Sequence, residues 1–357
     1  WEPNTILSFF KKKNTQQSAG FLNPNPTFFG KILQYIRANY FIPDARKFWI
    51  QPSVKYLKQY LSENKIDAII TSGPPHSLHL TGLELKKELN IKWISDFRDP
   101  WTEIDYLEQL PLTKKSIKIH QELEKEVVEK SDAVLVIGKT MKENFSKFSK
   151  KIHVITNGFD TDVISQKATL DTKFTITHVG LMNADRNPIS LWKAIQEISQ
   201  ENKEFAKDYQ IQFVGRIAPE VRDSLEEYQI KNVLDVGYVS HQEVTKYQQK
   251  SQVLLLAINN VKSAKGVITG KIFEYLQAKR PILAIGPTDG DLAEILKETH
   301  SGIIVNFDAV ENLKKEILQL YRSFKNGNLE SKSSNIEHYH RRNLTEKLAN
   351  IIKETVS

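Results

Sequence analysis

The sequence predicts an α/β chain built from two doubly wound halves, each a parallel sheet flanked by helices. Three observations carry this. Short apolar runs alternate with amphipathic helical patterns along most of the chain, which is the spacing of βαβ units. The alternation stops in a weakly hydrophobic stretch, 160–173, and then restarts. A length of 357 residues suits about two domains.

The elements follow in order. Residues 1–30 carry turn and loop chemistry in KKKN, QQS and NPNP. Residues 28–40 place Phe28, Phe29, Ile32, Leu33 and Ile36 on one helical face, with Lys31 and Arg37 elsewhere. The expectation for that face is packing on its own domain; lying on a membrane is the alternative. Residues 52–64 read as a second helix. Strands then fall at 66–71, 91–95, 133–137 and 152–156, separated by helices at 76–90, 113–130 and 140–148. Beyond the linker, strands fall at 174–179, 211–214, 233–236, 253–258, 282–285 and 302–305. Their helices are 189–201, 219–228, 241–249, 271–278, 291–298 and 310–324, and a last helix lies near 344–354.

Composition narrows the chemistry. Hydrophobic residues at 40% and charged residues at 26% are ordinary globular usage, so the bulk of the chain folds. No cysteine is present, which excludes disulfides, thiolate metal sites and cysteine nucleophiles. The longest apolar runs, such as 253–258, fall far short of the roughly 20 residues that span a bilayer. The net charge of +7 resides wholly in residues 1–66, which hold ten Lys/Arg against three Asp/Glu. The same segment holds 13 of the 34 aromatics. Such a face fits anionic lipid headgroups or nucleic acid, or is simply a basic surface over an aromatic core.

In open parallel sheets, ligands bind at the carboxyl ends of the strands. The first such loop, SGPPHS, opens a helix whose free N–H groups suit an anion; a capped turn is the commoner use. The next, DFRDPW, sets Asp96 and Asp99 about Arg98 with Trp101 adjacent. An Asp beside Arg stays ionised and suits a base or a hydroxyl acceptor; a structural ion pair is the alternative. Asp160-Thr161-Asp162 matches a D-x-D metal pattern but reads better as a turn with a helix-capping Asp. Gly180 with Arg186, and Gly215 with Arg216, are two Gly-plus-Arg loops in one half, a pattern that suits a diphosphate. Lys271 and Glu274 share one helical face near a helix start, so the lysine can meet phosphate while the glutamate accepts ribose hydroxyls. An exposed helical ion pair is the alternative. G-x-G-x-x-G, P-loop, H-E-x-x-H and G-x-S-x-G patterns are absent from the sequence.

These residues resemble a known family. GKIFEYLQAKRPILAIGP…GDLAEIL is similar to the donor-site segment of GT-B glycosyltransferases of the family 4 type. TSGPPHS, SDFRDPW, VITNGFD and HVG…RNP resemble a branch acting on bacterial cell-surface polysaccharides. The likeness runs from about residue 45 to the end. It implies two Rossmann-like domains facing a cleft. Residues 1–165 would form the acceptor side, 166–334 the nucleotide-sugar side, and 335–357 a helix crossing back. It implies a retaining, hexosyltransferase-type reaction with no cofactor and no metal, the nucleotide-diphosphate sugar being the donor substrate. Glu274 would hold the donor ribose. Gly180, Arg186, Gly215, Arg216 and Lys271 would lie about the diphosphate, and Asp96, Arg98 and Asp99 near the acceptor. Lipid-linked or glycan acceptors are expected, with no nucleic acid. A cytoplasmic location is expected, with contact to the inner membrane face through residues 1–66 as an added feature.

The chain departs from the pattern twice. Many family members carry a Glu eight positions before the ribose-binding one, and here that position is Gly266. Family members also open with a strand and a Gly-rich loop, and nothing before Lys31 reads as that strand. The expectation is that several tens of residues precede Trp1 in the natural domain. Two rivals stand beside the transferase: a nucleotide-sugar epimerase of the same fold, and a non-catalytic, degenerate transferase that binds a nucleotide or a partner.

Overall fold

The computed structural model describes residues 27–160 and 168–357. The loop reading of residues 1–26 and the linker at 161–167 lie outside the described residues. The chain forms two compact units. The first runs to Ile155 and includes Leu348–Ser357; the second is Thr156–Lys347.

The first unit opens with helices α1 (Phe28–Tyr40) and α2 (Ile50–Glu63), followed by β1 (Ala68–Gly73), α3 (Ser77–Leu89) and β2 (Lys92–Phe97). Helix α4 (Lys114–Lys130), β3 (Ala133–Val136), α5 (Lys139–Phe145) and β4 (Ile152–Val154) complete it. The strands lie in the order β1-β2-β3-β4, all parallel. Trp93, Phe97, Val134 and Val136 are fully buried and form the core with Leu83, Val127 and Trp101. Thr113 starts α4 by accepting from the Ser116 N–H at 3.1 Å.

Helix α1 corrects one expectation. Its apolar face does not pack on the domain: Phe28 and Phe29 are 77% and 76% exposed, and Ile32, Leu33 and Ile36 are exposed too. Ala38 is its buried residue. The helix is held instead by Asn39, whose amide donates to the Pro111 carbonyl and whose Oδ1 accepts from the Thr113 N–H and the Ser116 hydroxyl. Polar anchoring on one side goes with an apolar side that is exposed.

The second unit contains β5 (Phe174–Val179), α6 (Ile189–Glu201), α7 (Lys203–Asp208), β6 (Tyr209–Val214), α8 (Pro219–Glu227) and β7 (Val233–Gly237). It continues with α9 (His241–Lys250), β8 (Val253–Ala257), α10 (Lys271–Ala278), β9 (Ile282–Ile285), α11 (Asp291–Thr299), β10 (Gly302–Val305) and α12 (Val310–Lys325). The final helix α13 (Arg341–Val356) begins here. The short helix α7 escapes the apolar pattern because only Phe205 of its six residues is buried; Asn202 caps it.

The sheet order is β10-β9-β8-β5-β6-β7, all parallel. This is the doubly wound order in which the first strand of the unit sits centrally. Both faces are covered. Val253, Leu255 and Ala257 of β8 face one cluster, and Leu254 and Leu256 face the other. That two-sided burial explains why β8 reads as an unbroken apolar run and not as an alternation.

Candidate functional site

The order of the second sheet reverses at β5, which pairs with β6 on one side and β8 on the other. In sheets of this kind the ligand crevice lies at the carboxyl ends of the strands that flank such a reversal. Most of the nucleotide-site residues expected from the sequence surround this point.

The loops after β5 and β6 run as a zipped pair. The Gly180 N–H donates to the Val214 carbonyl at 2.7 Å, Met182 N–H to Arg216 O at 2.9 Å, and Ala218 N–H to Met182 O at 2.9 Å. Gly180 has φ +95° and Gly215 φ +136°, a region that L side chains rarely adopt. A Cβ on Gly180 would stand 2.9 Å from the Lys271 ammonium. The glycine thus leaves the space into which Lys271 reaches.

Helix α10 is fixed by Tyr275. Its buried hydroxyl accepts from the Val179 N–H at 3.1 Å and donates to the Leu255 carbonyl at 3.2 Å, joining the ends of β5 and β8. This sets Lys271 and Glu274 at the crevice. Lys271 Nζ lies 3.4 Å from Nε2 of the buried His178. Burial, reinforced by the Arg186 charge, lowers Lys271 to about 8, with Glu274 opposing. Arg186 donates from Nε to Asn259 Oδ1 at 2.7 Å, and Asn260 N–H donates to the Asp185 carbonyl at 3.0 Å. The loop after β8 thereby steadies the loop after β5. Lys271 and Glu274 form no ion pair: Glu274 Oε2 accepts from Gln248 Nε2 at 2.8 Å. The carboxylate is oriented by a neutral amide. Arg216 is exposed beyond the zipped loops. Gly266 closes the 3₁₀ turn Lys262–Gly266, which packs on the start of α11; a Cβ on Gly290 would meet the Lys265 carbonyl at 2.7 Å.

In the first unit, Asp96 Oδ1 accepts from Arg98 Nη1 at 3.3 Å, and Asp96 Oδ2 from the Ser72 hydroxyl at 2.8 Å. Arg98 also donates to the Ile155 carbonyl at 2.9 Å, and its N–H to Gly73 O at 2.8 Å. The pair ties three loops together, which is the structural ion-pair arrangement. Asp99 keeps an exposed edge; partial burial raises its carboxyl, with Arg98 opposing and Asp105 reinforcing. The helix start after SGPP is met by a side chain of the chain itself: Asp44 Oδ2 accepts from the Ser77 N–H at 2.8 Å. Beside it the buried His76 ring stacks on Trp101, centroids 4.8 Å apart, and Trp101 donates to His120 Nδ1 at 3.0 Å. Asp160 is paired with Arg341 at 2.6 Å and caps no helix among the described residues; Thr161 and Asp162 lie outside them.

Sequence reasoning missed His178, Tyr275, Gln248 and Asn259. A signal existed for two of them. His178 is an imidazole inside an otherwise buried strand, and Gln248 is a buried amide on a polar helix.

The comparisons bear on this geometry. A family model described as Glycosyltransferase Family 4 matches residues 18–163, and one described as Glycosyl transferases group 1 matches residues 173–323. The chain belongs to the family 4-type GT-B glycosyltransferases. The crevice at β5 and β8 lies in the group 1 domain of this GT-B chain. Solved structures share the fold at low identity. Sucrose-phosphate synthase from Thermosynechococcus elongatus overlays with TM-score 0.59 at 14% identity, over 87% of this chain and 78% of that one. HepE of Anabaena, solved with UDP and glucose, gives 0.60 at 13% identity over 93% and 98%. An S. aureus TarM variant solved with Fondaparinux, alpha-GlcNAc-glycerol and UDP gives 0.57 at 16% identity; this chain covers 84% of itself and 58% of TarM. No curated protein matches the sequence. Among the described residues, no helix is long and apolar enough to cross a membrane.

Proposed function

We propose that the chain moves a hexosyl group from a nucleoside diphosphate sugar to a lipid-linked or cell-surface glycan acceptor, with retention at the anomeric carbon and without a metal. The observation that carries this is the convergence of Gly180, Arg186, Lys271 and Glu274 at the reversal point of the second sheet. Two cations and a side-chain-free loop suit a diphosphate, and an amide-oriented carboxylate suits a pair of ribose hydroxyls. HepE and TarM, both solved with UDP, support the donor class.

In this reading the bond between the anomeric carbon and the diphosphate oxygen breaks, and its electron pair leaves with the diphosphate. Arg186 and Lys271 stabilise the charge that develops there, in a site already arranged to receive it. They supply the compensation that a metal ion supplies elsewhere, which favours the metal-independent reading. The new bond forms to an acceptor hydroxyl on the same face of the sugar, and that hydroxyl's proton passes to the departing diphosphate oxygen. Asp99 is the acidic side chain of the DFRDPW loop with room for an acceptor, whereas Asp96 and Arg98 hold that loop in place. The acceptor class rests on TarM, solved with alpha-GlcNAc-glycerol, and on the exposed aromatic face of α1 beside Lys31 and Arg37, which suits an anionic membrane surface.

Turnover tests the proposal. The protein is incubated with nucleoside diphosphate sugars and short lipid-linked glycan acceptors, with and without EDTA. Nucleoside diphosphate release that needs an acceptor, persists in EDTA and yields a product of unchanged anomeric coupling supports it. Interconversion of donor sugars without acceptor supports the epimerase instead.

A further inference from the structure

His178 is fully buried near the end of β5, in a strand whose other residues are buried too. An imidazole in such a place is costly unless both ring nitrogens have partners. Its Nδ1 lies 3.3 Å from the Leu255 carbonyl and its Nε2 lies 3.4 Å from Lys271 Nζ. A carbonyl can only accept and an ammonium can only donate. The tautomer in which Nδ1–H donates to Leu255 lets Nε2 accept from Lys271, with a Leu181 main-chain group as a further hydrogen-bond partner of the ring. Burial and the facing charges of Lys271 and Arg186 hold the ring neutral, against the main-chain groups of Leu181 and Leu255.

The same Leu255 carbonyl also accepts from Tyr275, so one atom of β8 sets both the pitch of α10 and the orientation of the imidazole. On its other side Lys271 runs against Gly180, where a Cβ would stand 2.8 Å from Cε and 2.9 Å from Nζ. The ammonium is therefore bracketed, with an acceptor beneath it and a bare backbone beside it.

We infer that His178 is a positioning residue of the phosphate site: its neutral imidazole is the fixed acceptor that holds the Lys271 ammonium against the Gly180 loop, so that the cation is aimed before a diphosphate arrives. This rests on the donor-site reading above and adds to it a residue that touches no ligand. A consequence follows for pH. An acceptor on the charged form of Lys271 supports that form. Removing the acceptor lowers an already depressed lysine further, and the alkaline limb of diphosphate binding moves to lower pH.

The test is titration of UDP, GDP, ADP, dTDP and CDP into the wild-type chain, followed by the pH profile of the tightest one between about pH 6 and 10. Lys271→Arg, which stays charged, flattens the alkaline limb. His178→Leu moves the limb down by about one unit and weakens binding near neutrality about tenfold. His178→Gln, whose amide oxygen can accept, recovers most of both. An unmoved limb and unchanged affinity in His178→Leu overturn the inference while leaving the donor site standing. Binding of none of the five nucleotides to the wild type removes the donor-site reading and this inference with it. Should His178→Leu not fold, the ¹⁵N-imidazole spectrum of the wild type decides: a protonated Nδ1 with a bare Nε2 is expected, and a protonated Nε2 overturns the assignment.

Discussion

Gly215 and Gly180 lie so close that a Cβ on Gly215 would stand 2.5 Å from the Gly180 carbonyl oxygen. The two loops that frame the crevice are thus spaced by the absence of a side chain. Gly215→Ala forces backbone apart at a residue whose φ of +136° already disfavours alanine. The expected outcome is weaker nucleoside diphosphate binding by tenfold or more, and a loss of about 1–3 kcal/mol of stability. Calorimetric titration and urea melts check the two effects separately.

Neutralising a diphosphate cation costs a charge-assisted hydrogen bond of about 1.5–3 kcal/mol, or roughly 10- to 100-fold in affinity. Arg186→Gln and Lys271→Gln are each expected to fall in that range, whereas Arg216→Gln, exposed beyond the zipped loops, is expected to change affinity less. Equal losses at all three positions contradict the assignment of the crevice floor.

In the proposed donor site, substitutions at Glu274 and Gln248 are expected to separate nucleoside binding from phosphate binding. Glu274→Ala is expected to weaken nucleoside diphosphates and to leave inorganic pyrophosphate unchanged, because the carboxylate is assigned to ribose. Gln248→Ala is expected to show the same selectivity with a smaller loss, since Gln248 would act through Glu274, to which it donates at 2.8 Å. Competition titrations with pyrophosphate read this directly.

Acid stability follows in part from three of the four buried imidazoles, His76, His79 and His178. His76 is lowered by burial from 6.5 to about 4, with Asp44 opposing, and His79 and His178 are lowered well below 6.5. Each is neutral in the fold, while the unfolded chain takes up a proton near 6.5, so the unfolded state binds more protons between the two values. Their contribution is complete above about 6.5 and is lost as pH falls below it, for His76 as pH falls toward 4. For His76 alone about 2 kcal/mol is gone by about pH 5. Thermal melts across this range check it, and His76→Phe, which keeps the stack on Trp101, is expected to flatten the slope.

The exposed face of α1 gives a surface prediction. Phe28→Asp with Phe29→Asp is expected to lower co-sedimentation with anionic vesicles and to leave nucleotide binding unchanged. Unaltered vesicle binding removes α1 from the membrane reading.

Much of the fold was legible because burial wrote it into the sequence. The runs at 174–179, 282–285 and 302–305 are strands with those same bounds, and helices 28–40, 189–201 and 271–278 likewise. A strand covered on both faces shows as a short apolar run, and Gly or Pro punctuates its end. The candidate site was legible in part as an arrangement of residues. Gly180, Lys271 and Glu274 stand at the ends of such elements, where pattern and position agree. Their supports were not legible: Gln248 reaches Glu274 from a residue 26 positions away, and His178 reaches Lys271 from 93. Such pairings depend on strand order, which periodicity does not encode. The apolar face of α1 misled for a related reason, because periodicity reveals a face and not whether anything covers it.

The central claim is that the β5–β8 crevice binds a nucleoside diphosphate through Glu274 and the cations beside it. The most direct test is a thermal-shift panel of UDP, GDP, ADP, dTDP and CDP on the wild type and Glu274→Ala. At about 100 times its dissociation constant a ligand adds roughly 2.7 kcal/mol. A rise in melting temperature with one nucleotide, lost in Glu274→Ala, is the predicted result. No rise with any of the five, in a chain that melts cooperatively, contradicts the account.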